Sequence, residues 1–379
     1  MKRLLYIVFM FNFLFSLLTA ILPLLVFDIT SSAATSGYVL SAFMIALLGT
    51  RMVLLTHEVD AYLLLRTGLT AYCLGFLLLL ANGTSIAMFY FGAIILGMGV
   101  GIVAPILITI ITDISRKPNV AVGWHNSLLG IASAIAPILG ISLYYFFDQR
   151  GFLYLILTIL SITTLGIACF VRRIGDKQPL KKTRINREAF SKEYIPSYII
   201  FLLTSISYGA VIAFSPIFYE KIGLRVDVFY FFFWSFFILA QLTMLKIKNK
   251  FTENTLLNIC ILFVFISSLS IIFTTNYVIL ILTAIVFGFS YGGIMNLFYN
   301  RIAAVNESKA KTDAYSIFGL MSYLGVGLGS TLLSPVANHS LIVLFILSSL
   351  FPLAGVLISI SLNKKNKANV LEHKQLEIR

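Results

Sequence analysis

The sequence predicts an all-α integral membrane protein, with twelve transmembrane helices arranged as two pseudo-symmetric six-helix bundles. Three observations predict it. Twelve long apolar segments fill the chain, a basic stretch from Arg172 to Glu193 divides them six and six, and 59% of residues are hydrophobic against 11% charged. A helix needs about 20 apolar residues to cross the hydrocarbon core, and a soluble protein carries about 25% charged residues.

The first span, 4–26, follows Lys2-Arg3, holds Asn12 and Pro23, and leads to Asp28. Its basic start resembles a signal peptide, but the run is too long for one and eleven more follow. Ser31 to Ala34 read as the first external loop. The second span, 37–56, passes through Arg51; the third covers 61–81; the fourth, 85–112, carries Gly97, Gly99, Gly101 and Pro105. The fifth, 120–147, is long, rich in Gly and Ser, and contains Pro137, and the sixth, 152–171, runs into the basic stretch. In the second half, 195–219 has Pro216 ahead of Glu220, 226–245 holds Gln241, and 254–273 holds Cys260. The tenth span, 277–302, contains Gly288, Gly292 and Gly293; the eleventh, 311–337, is again Gly/Ser-rich; the twelfth is 340–362. The expected organisation is an N-terminal bundle over 1–171, a cytoplasmic linker over 172–194, a C-terminal bundle over 195–363 and a cytoplasmic tail over 364–379.

The net charge of +13 is a topology signal. With both termini cytoplasmic, that side receives Lys2, Arg3, Arg116, Lys117, the linker's eight Lys/Arg, Lys246, Lys248, Lys250, Arg301, Lys309, Lys311 and the basic tail. The external loops hold only Arg150, Lys221 and Arg225. This is the positive-inside asymmetry of a multi-pass cell-membrane protein. The cations suit anionic lipid rather than nucleic acid. Cys73, Cys169 and Cys260 fall inside spans and are odd in number, so they read as packing residues, neither disulfides nor metal ligands.

The chain repeats itself at an offset near 191 residues. Gly97-Met98-Gly99-Val100-Gly101 through Pro105 aligns with Gly288 through Asn296, Pro23 and Asp28 match Pro216 and Glu220, and the fifth and eleventh spans share their composition. The spacing G-x-G-x-G inside an apolar helix, with no preceding strand, is close helix packing rather than a dinucleotide loop. No P-loop sequence occurs, and no Ser–His–Asp set, metal-ligand cluster or paired carboxylates lie in the spans, so the expectation is a protein that is not an enzyme and has no cofactor or bound metal.

Two six-helix halves, a basic central loop and cytoplasmic termini resemble the major facilitator superfamily over nearly the whole chain. The similarity is greatest to its bacterial efflux members. Gly97 to Asp113-Ile114-Ser115 resembles their fourth helix and its cytoplasmic end, and Gly130, Ala136-Pro137 and Gly140 resemble the exporter motif of the fifth. The chain departs from the family between the second and third spans, where Arg51 to Arg66 keeps charges of both signs, including His57 and Glu58, without the family's Gly-x-x-x-Asp pattern. Ala93 stands where the family has arginine, and Ala136 where the exporter motif has glycine. The resemblance implies alternating access and proton antiport.

An ionisable group at mid-membrane costs about 2.5–3.5 kcal/mol on the insertion scale. No Asp or Glu sits in the middle of a predicted span, whereas Arg51 lies inside the cytoplasmic end of the second and Arg301 at the end of the tenth. Each arginine either snorkels to the headgroups or faces the cavity as a cation for an anionic solute. Cavity candidates by helical spacing are Asn12, Asn126, Tyr208, Gln241, Tyr291, Asn296 and Asn300, with Trp124, Tyr299, Tyr315 and Tyr323 beside them. Asn296 and Asn300, at i and i+4, share a face with Gly292 and Gly293; the amides either line the path or bond between helices. Gating or coupling candidates are Asp113, His125, Pro137, Arg301 and Asp313. His125 is either packed or a proton carrier, and the aspartates either pair with basic helix ends or carry protons.

The sequence therefore points to a monomeric secondary exporter of an anionic or zwitterionic small molecule, metallophore-like by resemblance, working across the plasma membrane and driven by H+. A multidrug efflux pump, an importer and a non-transporting scaffold or receptor are the alternatives.

Overall fold

The computed structural model describes residues 2–54, 60–82, 84–115, 118–147, 150–171, 194–303 and 308–377; within these, side chains are described except at 82, 112, 113, 118–123, 126, 245, 303, 308–313, 315 and 362–377. His57, Glu58, Arg116, Lys117 and nearly all of the linker lie outside the described residues.

The elements run α1 (Lys2–Thr30), α2 (Ala33–Leu54), α3 (Ala61–Asn82), α4 (Ile86–Ile114), α5 (Pro118–Phe146), α6 (Arg150–Cys169), α7 (Ile195–Lys221), α8 (Val226–Lys248), α9 (Glu253–Ser270), a 3-10 turn (Ile271–Phe273), α10 (Tyr277–Ala303), α11 (Ser308–Ala337) and α12 (Leu341–Glu377). All twelve α-helices are long and apolar enough to cross a membrane, and no strand occurs among the described residues. Helices are the reason such a sequence is stable in lipid, since each satisfies its own backbone polar groups. Hydroxyls bond back along their own helices where needed: Thr109 donates to the carbonyl of Pro105 at 3.0 Å. α12 runs past its apolar stretch to Glu377, so the expected tail continues the helix.

Two turns need unusual backbone. Ser31 joins α1 to α2 with φ of 52°. α7 ends in a Schellman motif: Gly223, φ 72°, donates to Glu220 O at 3.0 Å, and Leu224 donates to Tyr219 O at 2.8 Å.

The chain forms two compact units. The first comprises Met1–Arg184, Ile212–Trp234 and Ser330–Leu341; the second Ile185–Val211, Ser235–Gly329 and Ile342–Arg379. These bounds fall inside α7, α8 and α11 as well as in the linker. Within the first unit, polar contacts join the Gly223 end of α7 to α5, through Arg225 and Ser142, and the Ala337 end of α11 to the start of α2. Ser32 and Asn338 exchange hydrogen bonds at 3.1–3.2 Å, Ala34 N donates to Asn338 Oδ1 at 2.9 Å, and Ser41 and Ser330 pair at 2.9 Å.

In the first unit α1 packs on α5, and α4 packs on both α2 and α3. Glycines set how closely. A methyl group on Gly101 would stand 2.6 Å from Leu47 O of α2, and one on Gly99 2.8 Å from Gly68 O of α3. Gly140 of α5 lies against Leu17 of α1, one turn past buried Pro137, and Ser16 bonds Ser133 at 3.0 Å across the same pair. In the second unit the same relations recur. α9 packs on α10, Gly292 of α10 lies against Phe237 of α8, and Gly325 and Gly329 of α11 lie against Ser205 and Ile206 of α7. First with fifth, second with fourth and third with fourth thus become seventh with eleventh, eighth with tenth and ninth with tenth. The internal repeat is one of packing as well as of sequence.

Candidate functional site

The most continuous polar surface among the described side chains is a ladder on α8 and α10. Gln241 Nε2 donates to the carbonyl of Gly292 at 2.9 Å. Asn296 Nδ2 donates to Gln241 Oε1 at 3.1 Å and to its backbone carbonyl at 3.2 Å, and Asn300 Nδ2 donates to Asn296 Oδ1 at 2.8 Å. The spacing 292, 296, 300 puts these groups on one face of α10. Gly292 lets the α8 backbone approach so that Gln241 can cross. All three amides are half-buried, so the ladder is held by its own bonds while presenting part of its polar surface. Gly293 turns elsewhere, toward Met244 and Cys260.

Behind the ladder, α7 and α10 are joined by aromatics. Tyr208 stacks on Tyr291 with ring centroids 4.5 Å apart, Tyr291 bonds Ser205 at 3.0 Å, and Phe201 stacks on Tyr291 at 5.9 Å. Tyr208 and Tyr291 are buried, which makes them a wall supporting α10.

The remaining expected residues are dispersed. Asn12 is buried in α1, and its Nδ2 returns to the carbonyl of Val8 at 2.7 Å. His125 is buried in α5. The side chains of Asn126, Asp113 and Asp313 lie outside the described residues, though their backbones are helical. Arg51 occupies the last described turn of α2 and is half-buried, and Met52 and Val53 after it are exposed. Arg301 is tied down. Its Nε donates to Glu253 Oε1 at 2.8 Å, one terminal nitrogen reaches Ser197 at 2.9 Å, and the other reaches Asn254 at 3.3 Å. Lys248 bonds the second Glu253 oxygen, so this carboxylate at the start of α9 is bracketed by two cations.

Sequence reasoning missed two constellations. Glu253 is one; its position beside Thr252, which caps α9 by accepting from Thr255 N, was the available signal. The other surrounds Asp28. Tyr144 donates to Asp28 at 2.8 Å, Arg150 pairs with it at 2.9 Å, and the guanidinium lies 3.8 Å above the Tyr144 ring. Arg225 adds a pair to Asp227 at 2.6 Å and a bond to Ser142 at 3.2 Å. Nothing in the separation of 28, 144 and 150 announces their meeting. Among the described side chains the carboxylates are Asp28, Asp60, Glu220, Asp227 and Glu253, each within three residues of a helix end.

Comparison with known proteins agrees with this architecture. The sequence profile of the Major Facilitator Superfamily matches residues 4–330. No curated protein matches the sequence. Among solved structures, the nucleoside transporter NupG is similar at a TM-score of 0.77 and 14% identity, over 96% of this chain and 98% of that one. A mutant of the peptide transporter POT is similar at a TM-score of 0.79 and 11% identity, over 96% of this chain and 94% of that one. At such identities the likeness carries the fold, and the profile carries the family. Twelve membrane-crossing helices, their duplicated packing and a match across most of the chain agree: this protein belongs to the Major Facilitator Superfamily.

Proposed function

We propose that this transporter is a proton-coupled exporter of a small anionic or zwitterionic, carboxylate-bearing molecule of metallophore-like chemistry, acting as a monomer across the plasma membrane with both termini in the cytoplasm. Its two bundles, 1–171 and 195–363, alternate access to a central path. The observation that carries the reading is chemical. The polar groups within the spans include the neutral amides of α8 and α10, Arg51 is a half-buried cation in the last described turn of α2, and the described carboxylate side chains lie near helix ends. A lipophilic cation moving through low dielectric calls for a buried carboxylate, whereas a carboxylate solute calls for amide donors and a guanidinium. In this reading Gln241, Asn296 and Asn300 orient the solute, Arg51 takes its charge, and the contacts at the Asp28 end form one gate. Asp113, Asp313 and His125 are the proposed proton carriers.

The test is to delete the gene, grow the host under metal limitation, and compare small molecules in cells and medium by mass spectrometry. A carboxylate-rich compound that accumulates inside and disappears outside supports the proposal and names the solute. Unchanged metabolites together with increased dye retention would replace it with multidrug efflux. Arg51→Gln should abolish export at unchanged membrane abundance, and full export by that variant removes Arg51 from the site.

A further inference from the structure

At the Lys2 end of α1 a groove of about 360 Å³ opens beside the end of α6, lined by Lys2, Arg3, Tyr6, Ile167 and Phe170. Two kinds of chemistry meet in it. The rim is cationic. Arg3 donates to the carbonyl of Phe170 at 2.7 Å, and Arg66 of α3 reaches the carbonyl of Cys169 at 3.3 Å, so two guanidiniums gather where the α6 dipole is negative and its last carbonyls lack helical partners. That bond takes one of Arg3's five N–H donors, and Lys2 has no polar partner among the described residues. Among the described residues no carboxylate lines the groove.

The wall below is apolar and exposed. Tyr6 and Phe170 flank the opening, and α6 continues the surface with exposed Ile162, Ile159, Leu155 and Phe152. Their spacing keeps them on one helical face, the face a lipid would meet. Gly166 interrupts the track: a methyl group placed there meets nothing within 4 Å. The result is a notch one helical turn below the cations. One leaflet of hydrocarbon is about 15 Å deep, or about ten helical residues, which reaches from Phe170 past Gly166 to Ile162 and beyond.

We propose that this groove is a binding site for an anionic glycerophospholipid, its phosphate between Lys2 and Arg3, its glycerol beside Tyr6, and one acyl chain in the Gly166 notch. The charge complementarity selects the class. A zwitterionic headgroup brings an ammonium that would face Lys2, Arg3 and Arg66, with no acid among the groove's described residues to receive it. A bound lipid would bridge the ends of α1 and α6. The site is independent of which solute the protein carries.

The full chain, stripped of lipid in detergent, is titrated with phosphatidylglycerol and with phosphatidylcholine of the same chain length, and the bound species are counted by native mass spectrometry. The first phosphatidylglycerol should bind at least tenfold more tightly than phosphatidylcholine. Lys2→Glu, at an exposed position, should weaken that first event at least tenfold and leave phosphatidylcholine unchanged; Gly166→Leu should weaken both lipids by filling the notch. Equal affinity for the two lipids overturns the proposal, as does unchanged phosphatidylglycerol binding in Lys2→Glu. Displacement of the lipid by millimolar glycerol 3-phosphate also overturns it, because headgroup chemistry alone would then account for the site. Thermal melting of each variant separates lost binding from lost fold; if Gly166→Leu does not fold, Lys2→Glu decides.

Discussion

Ser41 of α2 and Ser330 of α11 face each other with their hydroxyl oxygens 2.9 Å apart, both buried, although 289 positions separate them in the chain. On the same helices Gly37 leaves no room for a side chain: an added methyl would run into Ser334 and Phe214. These contacts belong to the first compact unit and give the proposed gate a test. Residues whose side chains meet so closely can host a disulfide if their Cα positions lie within about 7 Å. With the three native cysteines replaced by Ser, Ser41→Cys with Ser330→Cys should lose transport to background on oxidation and regain it on reduction. A cross-linked protein that still transports would show that α2 and α11 need not part during the cycle.

The amide ladder predicts a second outcome. Asn296 is its middle rung, donating to Gln241 and accepting from Asn300. Asn296→Leu keeps the size of the side chain and removes its two bonds to Gln241 and the one from Asn300; a bond between membrane helices is worth about 0.6 kcal/mol. Melting should shift by only a few degrees while transport falls at least tenfold. A variant that melts early and transports normally per folded molecule would make the ladder a packing device alone.

Close packing of α11 on α7 should be the more fragile feature. A methyl at Gly329 would collide with the backbone carbonyl of Ile206, and backbone cannot swing aside as a side chain can. Gly329→Val should cost about 1–3 kcal/mol, the range for overpacked cores. Gly151, whose added methyl meets nothing within 4 Å, supplies the control; Gly151→Ala should leave the melting temperature unchanged. Equal melting temperatures for Gly329→Val and wild type would refute the close approach.

Arg301 supports a fourth expectation. It and Glu253 are both about one-quarter exposed and share a bond of 2.8 Å, with Lys248 on the other carboxylate oxygen. Removing the guanidinium leaves Lys248 as Glu253's remaining cation and strands Ser197 and Asn254. Arg301→Met should lower stability by about 1–2 kcal/mol, after allowance for partial exposure. Its transport rate per folded molecule should be unchanged if the residue is a clamp, and abolished if it couples transport to protons. Rate measurements in proteoliposomes, corrected for folded protein, decide between the two.

Much of the architecture was legible because lipid imposes a coarse, one-dimensional rule. Each span must be long, apolar and helical, so twelve helices, their order and their duplicated halves could be read from hydrophobic runs and recurring glycines. The α10 stripe was legible for a related reason: Asn296 and Asn300 are one turn apart, and helical geometry alone puts them on a common face. What the stripe bonds to was not, since Gln241 lies 55 positions away from Asn296. Arg51 shows the same limit. Its surroundings depend on which helix faces turn toward the last described turn of α2, which the apolar run around it does not encode.

Hydrophobic runs and recurring residues suffice to set twelve membrane crossings, an internal repeat and the absence of acids from the middle of the predicted spans. These follow from composition and period, which act locally along the chain. Packing in three dimensions set the rest: Asp28 meets Tyr144 and Arg150, Arg301 is occupied by Glu253, Tyr208 and Tyr291 stack behind the ladder, and the close-packed glycines of α4 serve two neighbours at once. Those choices rest on which helix faces turn toward each other. Inside a membrane the apolar faces of twelve helices are chemically alike, so side-chain shape and a few scattered polar groups decide the pairing.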